Sequence, residues 1–423
     1  MQRSHAQTHV VFFVAAAWGL VGAFGCGPVS GDVPVEVVVF DDDDDIDVLG
    51  VEVIPDVVNI LRGEGSRFDV VGVPKVGALE LQTLVSEESL YPGYDDVVEG
   101  QRELAGGDVV NPRLSWNGSE WQAQDYDSLA YLTAFANFEK VWSFMSEYDN
   151  TGATDEHAIV GFYGEVVVSN LITMPVIAAD NAAYVSTLDG WLVLRSVALS
   201  GEALPLGMND AVIAHEFAHR YVHHNLHLRT DENFDLWRSA TVNGFASSTD
   251  AFNLRGIDEG IADVFALAYS GKPDFIERSI TSATPAISAR DVEGEFADLV
   301  TYEHFLNGGY PDNDFQDACN GDLSSEGFNF YCIGTLFARV MWDTAGGDAN
   351  ALRTEVLPVL EPALADASER IQRNGANGLL FRPSFVLEPL AQRLPANRQQ
   401  AFCDGVIRKF GTFVILGEVP SCL

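Results

Sequence analysis

The pentapeptide His215-Glu216-Phe217-Ala218-His219 puts two imidazoles four residues apart with a carboxylate beside the first. In a helix, positions i and i+4 share a face, so both rings reach one metal ion while Glu216 faces the place of a metal-bound water. Zinc lowers the pKa of such a water to about 7, and a nearby carboxylate can take its proton as it attacks a carbonyl. Residues 209–226 carry helical apolar spacing, with Asn209 or Asp210 placed to cap the helix. The third ligand is expected from Gly256-Ile257-Asp258-Glu259-Gly260-Ile261-Ala262-Asp263-Val264-Phe265, read as the start of another helix. There Glu259 can complete the metal set. Asp263, on the same face, can accept the free ring N–H of His215. Two histidines and two carboxylates buried without a metal would be costly to pair, which weighs against reading them as ordinary core.

The two motifs resemble those of the gluzincin zinc metallopeptidases, particularly the thermolysin-like and fungalysin-like branches, whose second motif reads Asn or Gly, Glu, three residues, then Asp. The resemblance covers roughly residues 128–347. It implies a zinc endopeptidase acting on a peptide or protein substrate, with one zinc on His215, His219 and Glu259 and with Glu216 as general base. The implied fold is α+β and thermolysin-like, a β-rich N-terminal lobe and a mostly α-helical C-terminal lobe with the zinc helix between them. Asn181-Ala182-Ala183-Tyr184 looks like the family's Asn-Ala edge strand, which makes Asn181 and Ala182 substrate contacts. Arg290-Asp291-Val292 is similar to the segment carrying the arginine that binds a substrate carbonyl. The family's oxyanion histidine falls at Tyr331, three residues before Gly334, and a phenol can donate the same hydrogen bond. His304 is the alternative donor.

This chain also departs from the family. Thirty-nine residues separate His219 from Glu259, which implies an inserted loop over roughly residues 227–255. Asp258 stands where thermolysin-like enzymes have Asn, either to tighten metal binding or to cap the helix. Metzincin spacing is absent, because that class requires Gly and His where this chain has Val222 and Asn225. His223, His224 and His227 are expected to be exposed or to support the ligands at the C-terminal end of the zinc helix, where a cation suits the dipole. Two rivals of other classes are a zinc-binding pseudo-peptidase or peptide-binding lipoprotein, and an adhesive lipoprotein with incidental zinc. Glu216 favours turnover, since zinc binding alone does not require it.

The elements that must position these residues follow from the patterning. Residues 128–148 carry Leu129, Leu132, Phe135, Phe138, Val141, Trp142 and Phe144 at helical spacing, and residues 158–197 are β-rich with breaks at Asp180-Asn181 and Asp189-Gly190. Helices are expected to dominate residues 209–423, including 352–364, kinked or broken at Pro358 and Pro362, then 385–393 and 398–410. Upstream, residues 51–127 form a β-rich region with no assigned role, and residues 26–50, ending near Asp41-Asp42-Asp43-Asp44-Asp45, read as an acidic tether.

Arg3 and the apolar run of residues 10–25 read as a signal peptide, too short for a confident membrane span. Ala23-Phe24-Gly25-Cys26 resembles a bacterial lipobox. Lipidation of Cys26 would anchor an exported chain at the cell envelope, with plain secretion as the alternative and the lipid as its sole membrane contact. The remaining Cys319, Cys332, Cys403 and Cys422 suit two disulfides, and closeness in sequence favours Cys319 with Cys332 and Cys403 with Cys422. At 423 residues and 47% hydrophobic content the chain is large enough for an enzyme core, and a monomer is expected. Its 62 acidic and 24 basic residues, a net charge of -38, argue against nucleic acid as a partner. Calcium is a further candidate cofactor, by family analogy and from Asp312-Asn313-Asp314, without a calcium loop of recognised spacing.

Overall fold

The structure is a computed structural model and describes residues 27–41, 46–77, 107–149, 157–168, 176–177, 182–186, 189–194, 204–230, 233, 249–277, 279, 290–323, 328–375 and 381–423. Cys26, Asn181 and the apolar run of residues 10–25 lie outside these, so the lipid anchor and one substrate contact have no structural counterpart here. The chain is α+β, with three sheets in its first half and helices thereafter.

Strands β1 (Gly31–Asp41) and β2 (Ile46–Val57) form an antiparallel hairpin in register from Gly31 with Val57 to Asp41 with Ile46. The acidic tether expected over residues 26–50 is therefore mostly a β-ribbon. Alternation decides this: Val33, Val35 and Val37 point inward and are buried, while Leu49, Val51 and Val53 of the partner strand stay exposed. The backbone N–H of Val38 donates to Thr133 Oγ1 at 3.0 Å, tying the ribbon to helix α1 (Tyr126–Met145). Helix α1 is capped by Asp125, whose side chain accepts from the Ser128 N–H, and its aromatic stripe is buried as the spacing predicts.

A boundary at residue 128 does not hold either. The five-stranded sheet runs β11 (Ala182–Val185), β12 (Gly190–Val193), β8 (Ala158–Phe162), β3 (Phe68–Gly72) and β5 (Asp108–Val109), so the N-terminal third supplies two of its strands. β3 pairs in parallel with β8, a long-range contact that strand patterning by itself does not specify. β11 is an edge of this sheet, which is the property that matters for the site.

Helix α2 (Asp210–Val222) carries the pentapeptide, and α3 (Thr249–Ser270) carries Glu259. Phe217 of α2 stacks on Trp191 at 4.5 Å and meets Trp142 of α1 edge-on at 5.1 Å, an aromatic wall that seats α2 between sheet and α1. Helix α7 below corresponds to Tyr331–Ala345, after the short helices α4 (Glu295–Leu299), α5 (Tyr302–Asn307) and α6 (Asn313–Cys319). The helix expected to be kinked or broken at Pro358 and Pro362 is not broken, since α8 (Leu357–Gly375) continues through both prolines. A π turn over Leu352–Val356 precedes it and takes up the altered hydrogen bonding. Helices α9 (Ser384–Arg393) and α10 (Ala396–Ile415) close the chain. The disulfides Cys319–Cys332 and Cys403–Cys422 form as their spacing suggested, the first clamping α6 to the start of α7 beside Tyr331. Among the described residues, no helix is long and apolar enough to cross a membrane.

Candidate metal centre

Asn209 settles the capping question: its side-chain oxygen accepts from the N–H groups of Ala211 and Val212, which orients the first turn of α2. One and two turns on, His215 and His219 meet with their Nε2 atoms 3.2 Å apart. Glu259 Oε2 lies 3.2 Å from His215 Nε2 and 3.6 Å from His219 Nε2. All three atoms converge on one point, and Glu259 is 8% exposed. Glu259 Oε2 is buried and has no hydrogen-bond partner among the described residues, although both Nε2 atoms stand within 3.6 Å of it, an arrangement suited to donor atoms around a shared cation. The ligand atoms of His215, Glu216 and His219 also lie within 4.8 Å of one another. The triangle closed by Glu259 is tighter, and an oxygen of Glu216 is already engaged elsewhere.

Helix α3 begins at Thr249, seven residues earlier than expected, so Glu259 sits in its third turn and the inserted segment ends before residue 249. Glycines bring α3 against α7: a Cβ on Gly334 would stand 3.0 Å from the Glu259 Cβ, and one on Gly260 2.8 Å from the Gly334 carbonyl oxygen. Such backbone contact presents Tyr331, one turn before Gly334, to the metal centre.

Each histidine has its own carboxylate. Asp263 Oδ1 is 2.9 Å from His215 Nδ1, off the ideal N–H line, and Asp258 Oδ1 is 3.0 Å from His219 Nδ1. Asp258 therefore faces His219 from mid-helix and caps nothing. Arg290 donates to Asp263 at 2.7 Å and stacks on the Tyr331 ring at 4.3 Å, so the structure gathers Arg290, Asp263 and Tyr331 beside the ligands. Burial alone would raise the Asp263 and Glu259 carboxyls, but Arg290 with His215 for the former, and His219 with His215 for the latter, hold both below the usual carboxylate range. The charge of Glu259, then burial, lifts the Tyr331 phenol well above its ordinary value, so it keeps its proton to donate.

No protein-family model matches this chain, and no curated protein matches it.

Glu216 is held at both ends. Its Oε2 accepts from the backbone N–H of Tyr184 on β11 at 2.8 Å, and its carbonyl accepts from Trp191 Nε1 at 3.2 Å. Burial raises the Glu216 carboxyl, opposed by His219 and His215. Since the Tyr184 N–H points away from β12, strand alternation directs the main-chain groups of Ala182, itself buried, to the same edge. Behind this edge lies a buried charge network that sequence reading missed. Asp189, in the turn before β12, accepts from Tyr184 Oη at 2.9 Å and from Arg220 Nε and Nη2 at 3.0 and 2.8 Å, and lies 3.1 Å from His224 Nε2. Burial would raise Asp189, but His224 and Arg220 hold it far below its ordinary value. Arg220 packs 5.4 Å from both the Trp142 and Trp191 rings. The signal available was Arg220 itself, a cation in an apolar helix that had to find an anion.

Other expected residues have local partners. His304 serves as the capping residue of α5, its Nδ1 accepting from the Thr301 N–H, with its ring against Tyr310, and none of its contacts is with the metal centre. Its local capping box competes with any role at a distance. His223 and His227 are buried with their Nδ1 atoms 3.3 Å apart, where burial pushes His223 well down and His227 to about 4. They are neutral at physiological pH and cannot serve the helix dipole as cations. Asp312 caps α6 by accepting from the Asp314 N–H, and among the described residues Asp312-Asn313-Asp314 forms no compact donor group.

Proposed function

We propose that the chain is a zinc-dependent endopeptidase of two-lobed, thermolysin-like design, with peptide-bond hydrolysis as its reaction. The observation that carries this reading is the triangle of His215 Nε2, His219 Nε2 and Glu259 Oε2, with sides of 3.2, 3.2 and 3.6 Å. Donors placed 2.0–2.1 Å from a tetrahedral zinc stand about 3.3–3.4 Å apart, so the donor set fits that ion with a fourth position open. Bound there, zinc would supply Lewis-acid polarisation and acidify water.

The rest of the chemistry belongs to the chain. An extended peptide lies along the β11 edge, exchanging main-chain hydrogen bonds with Ala182 and, on the family pattern, Asn181. Glu216, fixed through Oε2 by Tyr184, takes the proton of the attacking water on its other oxygen and returns it to the leaving amine. Tyr331 donates its phenolic proton in a hydrogen bond to the carbonyl oxygen as negative charge builds there, with Arg290 stacked on its ring. Export with a lipid on Cys26 belongs to the same proposal and rests on the N-terminal sequence alone.

The test is metal content together with cleavage of a quenched-fluorescence peptide library. Wild type is expected to hold about one zinc and cut; Glu216→Gln is expected to keep the zinc and lose a factor on the order of 100–10,000 in rate. Zinc bound with no peptide cut under any condition would make the pseudo-peptidase the better account, and failure to bind zinc would remove the site.

A further inference from the structure

Among the described residues, one cation beside the metal centre is left without an anion. Arg255 lies one turn before Glu259, about 6 Å back along α3. Residues 251–268 of that helix are buried except Arg255 and Asp258, which marks the side on which α3 opens to solvent next to the ligands. The Arg255 guanidinium carbon stands 3.8 Å from the centre of the Phe330 ring, and that ring packs 4.8 Å from Tyr331. Its charge is felt at the Tyr331 phenol, against that of Glu259.

Among the described residues, Arg255 makes no hydrogen bond and no ion pair. This matters in a chain with 62 acidic residues against 24 basic ones, where Arg220, Arg290 and Arg339 each hold a carboxylate. Asp258 and Glu259, at i+3 and i+4, are the positions from which a helix would pair with Arg255. Both are turned to His219 and His215 instead. With its carbon over the Phe330 ring, the guanidinium makes no hydrogen bond with a described residue, and the natural partner of its planar fork of N–H donors is a carboxylate.

We infer that Arg255 is a specificity-determining residue that receives a carboxylate of the bound peptide, from an acidic side chain or the free C-terminus, beside Tyr331. The inference rests on the peptidase reading for the nature of the ligand. It also accounts for how so acidic a protein could accept an acidic peptide, whose approach the net charge would otherwise oppose.

The experiment measures binding by fluorescence anisotropy to zinc-loaded protein carrying Glu216→Gln, so that nothing is consumed. Labelled peptides are paired as Glu against Gln and Asp against Asn at each position, and as free acid against amide at the C-terminus. One acid form is expected to bind about tenfold or more tighter than its neutral partner. Which pair shows this tells side chain from terminus. Adding Arg255→Ala is expected to lower the acid form to the affinity of the neutral one with zinc content unchanged, and Arg255→Lys to retain part of the preference. No acid preference, no binding at all, or a preference that survives Arg255→Ala would each overturn the inference. If the preference is present and Arg255-dependent while wild type cuts none of these peptides, the peptidase reading fails and the carboxylate receptor stands.

Discussion

At the scale of single residues, the site is a set of acidic groups assigned to different tasks by their partners. Glu259 faces both imidazole rings, Asp263 and Asp258 each face the far nitrogen of one ring, and Glu216 is turned to the β11 edge. Carboxylates behind a ligating imidazole fix its tautomer and raise its basicity. Asp258→Ala is therefore expected to weaken zinc binding about 10–100-fold while the fold is kept, as read by competition with a chromophoric chelator. An unchanged zinc affinity would reduce Asp258 to a surface charge. Asp189 shows the same logic away from the metal: buried Arg220 needs an anion, and the turn before β12 brings one, with Asp189 at a positive φ of 44° that non-glycine residues rarely adopt.

Among the elements, the packing of α3 on α7 decides whether Glu259 and Tyr331 share a site. Gly256, Gly260 and Gly334 let the two backbones touch, and an added Cβ at Gly334 would press on the Glu259 Cβ and the Gly260 backbone. Gly334→Ala is expected to cost about 1–3 kcal/mol through overpacking and to lower zinc affinity by moving Glu259. Thermal unfolding with and without added zinc measures both. A variant with wild-type stability and wild-type zinc affinity would show that this contact tolerates side chains and positions nothing.

For the molecule as a whole, stability and pH are linked through buried groups far from the metal. Glu139 of α1 is 2% exposed; burial pushes its carboxyl up to about 7, against Arg67 at 3.4 Å and with Asp56 adding to the rise. Because the folded state holds this proton more tightly than the unfolded chain, the contribution favours the fold below about 4.5 and is lost as pH rises to about 7, on the order of 3 kcal/mol. Asp189 runs the other way: its depressed value stabilises the fold above 3.8 and is lost as pH falls below that. Stability is thus expected to peak at mildly acidic pH. Glu139→Gln should raise the melting temperature at pH 8 relative to wild type and leave little gain at pH 5; an equal effect at both would mean that Glu139 is not carrying the proton.

The shared face of His215 and His219, the capping Asn209, the pairing of the cysteines and the α-helical second half were legible in the sequence, because all are local. Helical spacing sets which side chains share a face, and near neighbours in sequence make short loops. What only the tertiary structure decided lies at long range. Hairpin β1–β2 had an acidic composition that looked like a tether until its alternating valines found α1 to bury against. β3 joined the sheet of β8 across about 90 residues, and Asp258 acquired its role only when His219 came to face it. His304 looked chemical in the sequence and was taken by its own helix's capping box, while Arg255, which spacing does not single out, stands out because Asp258 and Glu259 are turned to the histidines. Spacing along the chain states what a residue can reach locally; which of its candidate partners it meets depends on the packing of elements that sequence separation does not encode.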